Sequence, residues 1–179
     1  MQWGVIFGSA SILPRFSGLS DNEKAIVGAA YLYRQLRLVE QFDACYDEDL
    51  TQVFKEGVVA CTNTNLAAVQ LVGRVESKIP DTDEFPEEEG AYAQNLFIAL
   101  KYLLEFVFEG GVEAFESAIS MAMENIDVIN YNIDPNYDKS AALTGEVAVA
   151  SSIIDKFALR RQDRSGLDLL NWLCAGNFI

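Results

Sequence analysis

Six carboxylates fall within nine residues, Asp81, Asp83, Glu84, Glu87, Glu88 and Glu89, and Phe85 stands inside the run. A patch of one sign accelerates and orients encounter with an oppositely charged protein, so this segment is a candidate docking surface for a basic partner. The same composition also suits a solvated, solubilising face. Phe85 favours docking, since aromatic anchors inside polar rims are typical of interfaces. A second cluster, Asp43, Asp47, Glu48 and Asp49, precedes a helical pattern, where acids cap free N–H groups and complement the helix dipole. Asp47, Glu48 and Asp49 join the first run as candidate partner-binding residues. A calcium loop would need alternating oxygen ligands, a central glycine and a terminal glutamate, which residues 43–54 lack.

Other chemistries find less to work with. Glu105 with Glu109 and Glu113 with Glu116 are paired carboxylates of the kind used in acid–base catalysis, but at helical spacing in so acidic a chain they read as exposed. Histidine is absent, which removes Ser-His and Cys-His nucleophile pairs, imidazole-held zinc or iron, and the Glu-x-x-His motif of di-metal bundles. Cys45, Cys61 and Cys174 are far apart among apolar neighbours and read as small buried hydrophobes. The glycines never take the glycine-and-lysine spacing of a phosphate loop. No catalytic residue, cofactor or metal is expected. Tyr131 and Tyr137 with Asn130, Asn132 and Asn136 make a polar aromatic segment that reads as a turn or an interface rim. Arg160, Arg161 and Arg164 read as a helix-end cap, or as a grip on an acidic partner or another copy.

The charge is concentrated. Residues 40–134 hold 20 acids and 4 bases, residues 1–39 hold 2 and 4, and residues 135–179 hold 5 of each, for a net charge of −14. Nucleic acid and anionic membranes need a basic face, so neither is expected as a partner. A chain of 179 residues, half of them apolar, can bury a single sizeable core. Its first eight residues are apolar, yet no Lys or Arg precedes them and the run is too short to span a membrane. A cytoplasmic location is expected.

The elements that would carry these groups are helices. Ser20-Asp21-Asn22-Glu23 is a capping box, and apolar residues at three- and four-residue steps predict one long helix over 21–43. Leu50, Val53, Phe54, Val58 and Cys61, then Leu66, Val69, Val72 and Val75 after Asn65, predict two shorter helices. Pro80, Pro86 and the like charges make 79–90 an exposed acidic loop. Stripes from Tyr92 to Val107 and from Val112 to Ile133 predict two antiparallel core helices joined at Gly110-Gly111. Asp134-Pro135-Asn136-Tyr137 is a turn, followed by a helix from Leu143 to Phe157 and a short one from Leu167 to Leu173. The expected fold is all-α: a single domain over 1–179 of six or seven helices, with an N-terminal apolar arm at 1–19.

Residues 75–131 resemble the YjaG-like bacterial family, domain of unknown function 416. The resemblance rests on Ile79-Pro80, Asp83, Phe85, Gly90, Ala93 and Ala99-Leu100, followed by the amphipathic stretch 112–133. It implies a compact helical fold in a cytoplasmic bacterial protein, with Phe85 as a staple, and implies no activity. Size, acidity and the lack of catalytic groups lead to the expectation of an immunity or inhibitor protein, as in contact-dependent growth inhibition, that covers the active site of a basic toxin domain such as a nuclease. The rival expectation is a YjaG-like adaptor or regulatory protein with a solubilising surface. A homo-oligomer is not indicated.

Overall fold

The computed structural model of the chain describes residues 3–63, 67–134, 136–160 and 164–179. The expectations that fell on Asn65, Leu66, Pro135 and Arg161 lie outside those residues. Among the described residues every regular element is a helix, and there are ten rather than six or seven: α1 (Trp3–Ile6), α2 (Leu13–Ser17), α3 (Asp21–Tyr33), α4 (Leu36–Tyr46), α5 (Leu50–Ala60), α6 (Ala67–Glu76), α7 (Glu88–Glu109), α8 (Val112–Ile133), α9 (Lys139–Ala158) and α10 (Gly166–Cys174). None is long and apolar enough to cross a membrane.

Two of the extra helices come from the N-terminal arm. Ile6, Phe7, Ile12 and Phe16 are buried, so the arm belongs to the core. The rings of Phe7 and Phe16 lie 5.7 and 5.2 Å from that of Phe115 on α8. The other extra helix arises where 21–43 divides. The capping box forms as expected, with the Ser20 hydroxyl accepting from the Glu23 N–H and the Glu23 carboxylate accepting from the Ser20 N–H. The helix then breaks at Arg34-Gln35. An unbroken helix would give the Arg34 carbonyl to the Leu38 N–H. Instead that carbonyl accepts from the Ile179 N–H at 3.0 Å, and Leu38 N–H donates to the Gln35 carbonyl at 3.0 Å.

The broken turn is held by polar side chains inside the protein. Arg34 and Glu146 are both nearly buried and pair at 2.7 Å; the Tyr31 hydroxyl donates to the same carboxylate, and Arg34 Nε donates to the Asn177 carbonyl at 2.8 Å. Gln35 Nε2 donates to the Ala122 carbonyl at 3.0 Å, while Asn125 bridges Gln35, the Tyr92 carbonyl and Asn95. Buried polar groups persist only when paired, so these contacts dictate how α3, α7, α8 and α9 meet.

Helix α7 forms the hub. Its buried residues include Leu96, Phe97, Ala99, Leu100, Leu103 and Leu104, more than one face of a helix, as expected of an element enclosed by neighbours. It packs most extensively on α8 and also on α3, α4, α5 and α6. Gly110 (φ 73°) and Gly111 (φ 92°) make the tight connection between α7 and α8 in a backbone region that side chains disfavour. The α7 N-terminus and the α8 C-terminus therefore lie at one end of the bundle.

Candidate functional site

The acidic segment is built, not loose. Asp81 starts it: its carboxylate accepts from the Asp83 N–H at 2.9 Å and its carbonyl accepts from the Phe85 N–H at 2.8 Å. Such Asx geometry lets a short polar side chain replace a backbone partner and tighten the turn. Pro80 is buried, and its carbonyl accepts from Gln94 Nε2 at 2.7 Å. Phe85 turns inward, with its ring 5.0 Å from that of Phe42 and 4.8 Å from that of Tyr46. The staple is the arrangement found, and Phe85 does not stand out as a free anchor. Helix α7 packs so closely beneath that a Cβ on Gly90 would lie 2.0 Å from the Phe85 carbonyl oxygen.

The exposed loop expected over 79–90 ends early, because α7 begins at Glu88. Glu87 is the extended N-cap, and Glu88 and Glu89 occupy the first turn, where acids complement the positive end of the helix dipole. Glu88 accepts from the Tyr92 hydroxyl at 3.0 Å and from Asn132 Nδ2 on α8 at 3.1 Å. Burial, then the Glu88 carboxylate, pushes the Tyr92 hydroxyl up to about 12.

The second cluster divides by role. Asp43, on α4, is the acid that caps α5: its two oxygens accept from the N–H groups of Leu50 and Thr51, each at 2.8 Å. Asp49 sits at the N-cap position without a side-chain bond, and Asp47 ends α4 in the left-handed region at φ 56°. Asp47, Glu48 and Asp49 are exposed.

Tyr46 joins the two clusters. Its ring supports Phe85 and its hydroxyl accepts from the Glu87 N–H at 3.1 Å. The turn carrying Asp47, Glu48 and Asp49 thus sits beside the loop carrying Asp81, Asp83, Glu84 and Glu87, with Glu88 and Glu89 behind them. All nine carboxylates are exposed except Glu89, which is half-buried. Among the described residues none of the nine forms a salt bridge. This row of one sign is the candidate docking surface.

The remaining sequence candidates lie elsewhere. Glu105 pairs with Lys101 at 3.1 Å, whereas Glu113 and Glu116 border an open hollow of about 580 Å³ with Trp3, Tyr102 and Ser120. Arg160 stacks on Phe157 and reaches Glu23 at 3.2 Å, and Arg164 pairs with Asp168 at 2.9 Å, so both are taken up by local contacts. Cys61 and Cys174 are buried as expected, and burial raises both thiols. Cys45 is exposed instead, because α4 turns Leu38, Val39 and Phe42 inward. Among the described residues no group of three or more His, Cys, Asp or Glu side chains is placed to hold a metal ion.

Sequence reasoning overlooked one linking residue, Tyr46, and named Asn132 only as part of a polar aromatic segment, without its link to Glu88. Only the spacing of Tyr46 four residues beyond Phe42 hinted that it shares the inward face of α4. Comparison of the chain with protein-family models, with curated proteins and with solved structures finds no match.

Proposed function

We propose that this chain is an acidic inhibitor, an immunity-type cytoplasmic protein, that binds a basic toxin domain of the nuclease kind and covers its active site. The supporting observation is the juxtaposition of Asp47, Glu48 and Asp49 with the 81–89 segment, across Tyr46, free of salt bridges among the described residues. A nuclease must be basic to hold a phosphate backbone, so carboxylates presented in place of phosphates gain rapid association and specificity. A reading frame for a basic toxin domain is expected immediately upstream of this chain's gene, and that domain is the candidate to test. Its nuclease activity is titrated with the chain, and association is followed at two salt concentrations. Stoichiometric inhibition, with association slowed by salt, is expected. A nuclease fully active in excess of the chain overturns the proposal.

The substitutions that test the surface are D47N, E48Q, E84Q and E87Q together. Among the described residues none of these side chains makes a hydrogen bond, and Asn tolerates the left-handed backbone at position 47. Slower association without a change in fold is expected.

The second reading, a helical adaptor of the YjaG-like kind with a solubilising surface, is favoured by the inward turn of Phe85, which removes it as an exposed anchor. Under that reading the four-residue variant associates with the basic domain no differently from the parent.

A further inference from the structure

The C-terminal end of α8 leaves apolar surface uncovered beside the acidic row. Val128 and Tyr131 are 42% and 70% exposed, high for large apolar side chains on a helix whose inner face is core. With Tyr137, whose ring meets that of Tyr131 edge-on at 6.4 Å, they line an open hollow of about 220 Å³ rimmed by Asp127 and Lys139. Asn132 follows Tyr131 directly, lies one turn beyond Val128, and donates to Glu88. The hollow and the carboxylates are therefore neighbouring parts of one surface.

We propose that this hollow takes an apolar side chain from a cationic amphipathic segment of the partner, while the segment's Lys or Arg residues meet Glu84, Glu87 and the Asp47–Asp49 turn. The inference rests on the docking reading above and names the chemistry that the surface selects. Charge complementarity decides the occupant. A second copy, seated here about a two-fold axis, would bring each acidic row against its own image, and like charges so placed repel. A basic segment removes that repulsion, and its cations also find the face of Tyr131. Carboxylates alone would attract any cation; the hollow adds the requirement for an apolar group at a fixed distance from the charges.

The test uses two synthetic peptides of about 14 residues, four helical turns. One has Lys and Leu at helical period; the other has Ser in place of every Leu, at equal charge. Each is titrated into the isotope-labelled full chain and followed by calorimetry and NMR. The Lys/Leu peptide is expected to bind roughly tenfold more tightly, as an anchor seated in a pocket does. Its resonance shifts should fall together on Val128, Tyr131, Tyr137, Glu84 and Glu87. Tyr131→Ser, and separately Val128→Ser, should abolish the difference between the peptides with an unchanged helical spectrum. The D47N, E48Q, E84Q, E87Q variant should weaken both peptides alike. Equal affinities, shifts away from the hollow, or concentration-dependent dimers that Tyr131→Ser dissolves would each overturn the proposal. Failure to inhibit a nuclease would count against the function proposed above and leave the peptide result standing.

Discussion

Replacing Gly90 by Ala tests the platform beneath the acidic loop, and replacing Gly145 by Ala is its control. Both glycines lie within helices, where Ala is favoured over Gly by about 1 kcal/mol. At position 145 the new Cβ meets nothing within 4 Å, so the substitution should stabilise the protein by about that amount. At position 90 the Cβ would lie 2.0 Å from the Phe85 carbonyl oxygen and 2.9 Å from Phe85 C and Cβ. The nearest of these atoms are backbone, which cannot rotate away. The loop must retreat by more than 1 Å to reach the 3.4 Å of ordinary contact, drawing Phe85 off Phe42 and Tyr46. Overpacking costs about 1–3 kcal/mol, and each aromatic pair lost costs about 0.5–1.5 kcal/mol more. Set against the propensity gain, a net loss of about 1–5 kcal/mol is expected for G90A. Urea unfolding at constant slope measures both variants, and amide exchange over residues 81–87 should quicken in G90A alone. If G90A is as stable as the parent and the loop exchanges at the parent rate, Phe85 does not rest against α7 and the placement of the carboxylates is wrong.

Arg34→Met leaves Glu146 as an uncompensated buried charge and should cost about 3–5 kcal/mol, with much of the loss regained in the R34M/E146L double variant; chemical denaturation of the three proteins measures it. Asp43→Ala should cost about 1 kcal/mol through loss of the α5 cap, whereas Asp49→Ala should stay within about 0.5 kcal/mol by the same assay. The carboxyl of Glu23 is held below its ordinary 4.5 by the Ser20 N–H first and then by the Ser20 hydroxyl. Its stabilising contribution is therefore complete above pH 4.5 and is lost as pH falls through the folded-state value. Urea midpoints across that acidic range should fall less steeply for E23Q than for the parent.

Wherever a hydrogen bond or contact closes within about one helical turn, the sequence alone determined the outcome. The capping box at Ser20, the two long helices meeting at Gly110-Gly111, the turn at Asp134 and the helix read from Leu143 to Phe157 all follow from local spacing. The location of the acidic residues was equally legible, since composition needs no partner. Tertiary structure alone decided what depends on distant residues. The break at Arg34-Gln35 is invisible to periodicity because its cause is Glu146, Ala122 and Ile179, the nearest of them 87 positions away. The cap of α5 comes from Asp43 in the preceding helix, although Asp49 occupies the cap position. Phe85 reads from its own residues as an interface anchor and only through the family resemblance as a staple, and it is the nearness of Phe42 and Tyr46 that turns it inward. The two acidic clusters, some 30 residues apart in the chain, become one surface because the Tyr46 hydroxyl meets the Glu87 N–H, a contact 41 positions apart that no local pattern encodes.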